Sequence, residues 1–200
     1  MGLEIEVKFP VADFSVLRSF LQRRGAIFLA RLFEQNVVFD SPDGALRARG
    51  GLLRLRRDNA ARLTLKLPSP GGPAGFKTRR EVETTVGDFD QTASILTHLG
   101  YLEAMRYEKL RETWRHCDAL VCLDELPFGL FVEIEGAPDS IAYTAGDIGL
   151  DMAEASTASY HDLFRASLDA QGLPLRDSFV FSSDERRRLE ALAEKTMSRD

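Results

Sequence analysis

Residues 3–10 read LEIEVKFP and alternate without a break. Successive side chains of a strand point to opposite faces. Leu3, Ile5, Val7 and Phe9 therefore fall on one side, and Glu4, Glu6 and Lys8 on the other. Taken alone, this is an antiparallel strand with one face in water, where charges cost nothing. Whether that account holds depends on how many other strands repeat the pattern.

Seven more stretches carry the strand signal: 33–39, 52–57, 62–67, 76–86, 107–115, 119–124 and 130–135. Turn-forming residues separate several of them, as SPDG at 41–44, RDNA at 57–60 and PSPGGPAG at 68–75, the last predicted to be a mobile loop. Most spacers are short, which favours antiparallel hairpins over crossovers. One face collects ions: Arg54 with Arg56; Arg62 and Lys66 around Thr64; Lys77, Arg79, Glu81 and Glu83; Lys109 with Arg111; Asp124 beside Cys122; Glu133 with Glu135. The reverse faces are apolar, as in Leu63, Leu65 and Leu67, or Leu130, Val132 and Ile134.

Amphipathic helices are available to cover those apolar faces. Asp13 is the predicted cap of a helix running to Arg24 and closed by Gly25, with Phe14, Leu17, Phe20 and Leu21 on one stripe. A second helix spans 88–99 and stops at Gly100. A third spans 157–170 with Thr157 as its cap, and a fourth spans 183–197, where Leu189, Leu192 and Ala193 form the apolar stripe of an otherwise charged segment. EIEVKF and EVETTV each lead to a DF helix start, a glycine-closed helix and another strand. That repetition suggests two related halves about an approximate two-fold axis.

A chain of 200 residues with 44% hydrophobic content can bury a substantial core. No apolar run approaches the ~20 residues needed to cross a bilayer, and the N-terminus enters a charged strand at once. A cytoplasmic protein with no membrane partner is expected. The net charge of −5 argues against a nucleic-acid-binding exterior. Cys117 and Cys122 are too few for a disulfide scaffold or a four-ligand zinc site and read as reduced thiols on a strand. His98, His116 and His161 show no metal-type spacing. Arg47, Arg49, Arg54, Arg56 and Arg57 are nonetheless concentrated in an acidic chain, which suggests a local anionic ligand.

Two architectures fit these faces. An open sheet sends the charges to bulk water; a closed antiparallel barrel sends them into a shared interior. Like-sign pairs such as Glu4 with Glu6 and Arg54 with Arg56 are tolerable in an interior only if opposite charges or a bound ion compensate them. In the closed case the ligand must need both signs. Carboxylates without soft competitors suit Mg²⁺ or Mn²⁺, and clustered Arg and Lys suit phosphate oxygens. A metal-bound polyphosphate satisfies both.

The motifs, taken in order, resemble those of the CYTH family, the triphosphate tunnel metalloenzymes that include class IV adenylyl cyclases and thiamine triphosphatases. EIEVK at 4–8 matches the opening E-x-E-x-K signature. QNVVFD at 35–40, LLRLR at 52–56, LTLKLP at 63–68, RREVE at 79–83 and KLRETW at 109–114 resemble the strand motifs that follow. LDELPFGLFVEIEG at 123–136 and ASYHDLF at 158–164 resemble the last strands and the closing helix. The likeness runs from Leu3 to Arg165.

The resemblance implies an α+β fold: a closed eight-stranded antiparallel β-barrel with a charged lumen and helices packed outside. Residues 1–170 would form the tunnel domain and 171–200 a C-terminal helical extension. Glu4, Glu6, Asp124, Glu133 and Glu135 would hold one or two divalent metals, Mg²⁺ or Mn²⁺. Lys8, Arg54, Arg56, Lys66, Arg79, Lys109 and Arg111 would bind the triphosphate, with Glu81 and Glu83 lining the tunnel and Glu4, Glu6 and Lys8 central to catalysis. Asn36 departs from the family, where many relatives are acidic. The implied reaction is metal-dependent hydrolysis of inorganic, nucleoside or thiamine triphosphate. The alternatives are cyclisation of ATP to cyclic AMP and pyrophosphate, or a non-catalytic polyphosphate- or nucleotide-binding module. The expected partner is a triphosphate-containing small molecule, and the helix at 183–197 is the candidate surface for a homodimer.

Overall fold

The computed structural model describes residues 2–197. Eight strands are present: β1 (Gly2–Val11), β2 (Ile27–Asp40), β3 (Leu52–Arg57), β4 (Ala61–Pro68), β5 (Lys77–Val86), β6 (Leu102–His116), β7 (Ala119–Leu126) and β8 (Gly129–Glu135). They close into a barrel in the order β1-β5-β4-β3-β2-β6-β7-β8, each pair antiparallel, with β8 returning to β1. Closure gives every strand a neighbour on both sides over at least part of its length. The order is unchanged when β1 to β4 are exchanged with β5 to β8, as expected for two halves about an axis crossing the barrel.

Six helices lie outside the strands: α1 (Ser15–Arg23), α2 (Ala45–Ala48), α3 (Phe89–His98), α4 (Pro138–Asp147), α5 (Tyr160–Ala170) and α6 (Ser183–Met197). The strands are inverted relative to a soluble sandwich: ions point inward and apolar side chains outward, so the helices form the core with the outer wall. Leu17 and Leu21 of α1 and Ile141 and Ala145 of α4 pack with Val7, Val121, Val132 and Ile134. Leu96 of α3 packs on Leu53, Leu55 and Phe39. Each fully buried aliphatic side chain contributes about 2 kcal/mol.

Several boundaries differ from the sequence expectation. β2 begins at Ile27 and β6 at Leu102, because the two strands pair along almost their whole length through two register shifts. Their extra residues escape the alternation rule: Ile27, Phe28 and Leu29 are consecutive apolar residues, all exposed. Asp13 is not the cap of α1; it precedes Phe14 and accepts from the Ser15 amide. Asp88 does cap α3, accepting from the Gln91 amide at 2.8 Å. The helix expected from Thr157 starts at Tyr160, because Ser159 and Asp162 form a reciprocal capping box. Cys122 lies on β7 as expected, whereas Cys117 occupies the two-residue turn between β6 and β7.

The apolar stripe of α6 is used within the chain. Leu189 is fully buried and Ala193 nearly so, in a cluster with Leu110 and Phe181, while Arg186 and Arg188 pair with Glu108 and Glu125. That stripe is therefore not a free dimer surface. The approach to α6 is stitched to β6: Phe179 N–H donates to Arg106 O at 3.0 Å, and Glu108 N–H donates to Phe179 O at 3.1 Å. No helix is long and apolar enough to cross a membrane among the described residues.

Candidate active site

The inward faces enclose a cavity of about 270 Å³. Six carboxylates line it (Glu4, Glu6, Glu81, Glu83, Glu133, Glu135), together with seven cationic side chains (Lys8, Arg54, Arg56, Lys66, Lys77, Lys109, Arg111). Strand register explains the convergence. Glu6 sits opposite Glu135 and Lys8 opposite Glu133 across β1 and β8; Lys66 sits opposite Glu81 across β4 and β5; Arg111 sits opposite Asp124 across β6 and β7.

Buried charge is tolerable only when paired, and nearly all of these charges are. Lys8 contacts Glu6 and lies 3.0 Å from Glu133. Arg111 bridges Glu133 at 2.7 Å and Asp124 at 2.5 Å. Lys66 donates to Glu4 and lies 3.4 Å from Glu81. Arg56 reaches Glu34 at 3.3 Å and donates to Asn36 Oδ1 at 3.2 Å. The charges respond accordingly. Burial opposes ionisation of Glu133, but Arg111 and Lys8 outweigh it and hold the carboxyl well below its usual range. The same contest leaves Glu34 at about 2, through Arg56 and Lys109. Burial also opposes the charge on Lys8, yet Glu133 and Glu6 raise its ammonium above the usual lysine range.

Glu135 is the exception. Its side chain makes neither hydrogen bond nor ion pair among the described residues, and burial together with neighbouring Glu4 and Glu133 pushes its carboxyl up to about 7. Glu4 and Glu133 outweigh Arg111 and Lys66 around this carboxyl, so a cation could be held there. Glu4, Glu135, Glu81 and Glu83 also line a second cavity at one mouth, beside Gly2 and Leu3. No three tunnel carboxylates offer oxygens within 4.8 Å of one another among the described residues. Mg²⁺ needs no such cluster, since it takes one or two carboxylates and completes its shell with water and phosphate oxygens. On the basic side, Arg54 Nε is buried without a hydrogen-bond acceptor.

Two of the residues picked from sequence do not reach the cavity. Asp124 is fully buried behind it, its oxygens taken by Arg111, by Lys109 at 3.2 Å and by the Tyr160 hydroxyl at 2.7 Å. Arg79 lies at a mouth, donating to Gly50 O and facing Asp40 and Arg47. Conversely, the sequence assigns no site role to Glu34, Tyr107, Tyr160 or His161, although the last two lie in the ASYHDLF motif. Tyr160 seals the wall between two cations, its ring 5.0 Å from Lys8 Nζ and 5.4 Å from Lys109 Nζ. Tyr107 hydrogen-bonds Arg54 at 3.4 Å.

The CYTH domain model matches residues 2–148. The chain belongs to the CYTH family. A Methanocaldococcus jannaschii protein named "Putative adenylate cyclase" is 27% identical over 134 residues, covering 66% of this chain and 76% of that protein. Among solved structures, a "putative adenylate cyclase" from Vibrio parahaemolyticus superposes with a TM-score of 0.72 at 20% identity, covering 82% of this CYTH chain and 98% of its own. A "putative adenylyl cyclase" from Hippeastrum, described as revealing a dominant triphosphatase activity, superposes with a TM-score of 0.61 at 19% identity, covering 86% and 97%. These likenesses give the fold: the tunnel is that of a CYTH barrel.

Proposed function

We propose that this CYTH protein hydrolyses a triphosphate in its tunnel with the help of a divalent metal. The observation that carries the reading is the juxtaposition, inside one closed barrel, of an acid cluster with an unpaired member, Glu135, and a wall of seven cations. Glu4, Glu6, Glu133 and Glu135 would hold one or two ions of Mg²⁺ or Mn²⁺, each ion on one or two of these carboxylates. When bound, the ion neutralises phosphate oxygens and makes water more acidic. Arg54, Arg56, Lys66, Lys109 and Arg111 take the phosphate chain, Arg54 with a buried N–H still to satisfy. Lys8, held charged between Glu6 and Glu133, places a fixed positive charge beside the acids. Asp124 acts one layer out, positioning Arg111, Lys109 and Tyr160 in place of the direct metal role expected from sequence. Catalysis in such a site is positioning plus charge neutralisation.

Hydrolysis is preferred to cyclisation because water needs no binding site of its own, whereas attack by a ribose hydroxyl requires the sugar to be oriented. The Hippeastrum protein's described triphosphatase activity supports this choice; the names of the archaeal and Vibrio proteins favour a cyclase as the second reading. The test is incubation with inorganic triphosphate, ATP and thiamine triphosphate under Mg²⁺ or Mn²⁺, separating orthophosphate, pyrophosphate and cyclic AMP. Metal-dependent orthophosphate release is expected. Cyclic AMP with pyrophosphate would establish the cyclase instead, and tight binding without any product would leave a binding module.

A further inference from the structure

A second cluster of metal-ligating side chains lies outside the barrel, where the β6–β7 turn meets the end of α4. His116 Nε2 is 2.8 Å from Asp147 Oδ2 and 3.3 Å from Cys117 Sγ. Among the described residues this is the one His, Cys, Asp or Glu group whose three donor atoms all lie within 4.8 Å of one another. We propose that His116, Cys117 and Asp147 form a zinc site that ties the β6–β7 turn to α4 and is separate from the tunnel.

The ligand geometry separates this reading from the obvious alternative. A cysteine–histidine–aspartate relay places the sulfur and the carboxylate on opposite ring nitrogens, one to be activated and one to orient. Here both converge on Nε2, leaving a single point toward which nitrogen, sulfur and oxygen face. A tetrahedral ion with ordinary Zn–N, Zn–O and Zn–S bonds separates its N and O ligands by roughly 3.3 Å and its N and S ligands by roughly 3.6 Å. The observed spacings need to open by only a few tenths of an ångström. Mixed thiolate, imidazole and carboxylate donors select zinc over the hard cations that suit the tunnel.

The surroundings favour a cation. Asp147 is the last residue of α4, where the helix dipole is negative. Its other oxygen, Oδ1, carries the exposed Arg24 at 3.4 Å, so Oδ2 is available for the metal without displacing that pair. Asp118 follows Cys117 directly, and both adopt positive φ, 49° and 60°, in the tight turn between β6 and β7. His116 is buried, whereas Cys117 is open to solvent. Three protein donors leave a fourth position for water. Binding forms a Zn–S bond and releases the thiol proton to solvent.

Alkylation of the wild-type protein supplies a test that needs no variant. Cys122 is buried, so a thiol reagent reports Cys117. Zinc at ten times its Kd is expected to slow Cys117 alkylation by about tenfold, and Mg²⁺ to leave the rate unchanged. Titration with Co²⁺ is expected to give a thiolate-to-cobalt charge-transfer band that is absent in Cys117→Ser, weakened in Asp147→Asn and retained in the tunnel variant Glu135→Gln. An unchanged alkylation rate, or a band that survives Cys117→Ser, overturns the site; loss of the band in Glu135→Gln alone assigns the metal to the tunnel and also overturns it.

Discussion

Glu135 gives the most direct handle on the tunnel's electrostatics. Its carboxyl titrates at about 7 in the folded protein against an ordinary 4.5, because burial and the neighbouring Glu4 and Glu133 disfavour its charge. The folded state therefore holds a proton that the unfolded state releases. Its contribution to stability is complete below pH 4.5, declines as pH rises, and is lost once pH passes about 7. A displacement of this size corresponds to about 3 kcal/mol, reduced to about 2 kcal/mol because the side chain is only partly enclosed. Glu135→Gln removes the titration and keeps the shape. In urea unfolding of the metal-free proteins, the variant should gain about 2 kcal/mol on the wild type between pH 5 and pH 8. Mn²⁺ should restore the wild type at pH 8 and do less for the variant. Parallel stability profiles across that range would refute the claim that the acid cluster is under-compensated.

Other residues give separate tests. Asp124→Asn leaves Arg111, Lys109 and Tyr160 without their shared anion and should cost about 3–5 kcal/mol in stability, read by denaturant melts, with substrate affinity falling alongside. A variant as stable as wild type would deny Asp124 its positioning role. Glu6→Gln keeps the side chain's size and should lower metal-dependent turnover by about 100-fold or more, measured at saturating substrate; unchanged turnover would remove Glu6 from the metal set. Arg56→Ala should raise KM more than it lowers kcat, since Arg56 lines the cationic wall of the cavity and is proposed to take the phosphates, and steady-state kinetics would expose the opposite split. Leu189→Ala empties a fully buried position on the inner face of α6 and should cost about 2–5 kcal/mol, visible as a lowered thermal midpoint.

Parity along the strands made most of the site legible before any coordinates. β3 was bounded correctly, and Glu4, Glu6, Arg54, Arg56, Lys109, Arg111, Glu133 and Glu135 all share the inward face that alternation assigns them. Parity does not report depth. Asp124 and Glu133 face inward alike, yet the cations around Asp124 consume it entirely while Glu133 still borders the cavity. Arg79 has the right parity but lies at a mouth beside Gly50. Glu34 carried a usable signal, two residues before Asn36 on the same strand face. Tyr160 and His161 lie in the ASYHDLF motif, but strand parity could not place them in the cavity, because they enter from the start of α5 and not from a strand. The sequence signal for α4 is faint: Pro138 stands at its start and Ile141, Ala145 and Ile148 mark a helical stripe, but its small residues weaken it.

The stitch between Phe179 and β6 has a practical corollary. β7 pairs with β6 only from Leu110 onward, so the upstream backbone around Arg106 and Glu108 is satisfied by the returning C-terminal segment. The family match ends at residue 148, well short of that segment. A version cut at the family boundary would bare amide and carbonyl groups along a strand margin, an invitation to foreign strands and to self-association. Anyone trimming this chain to its family-matched span would be removing its protection against clumping.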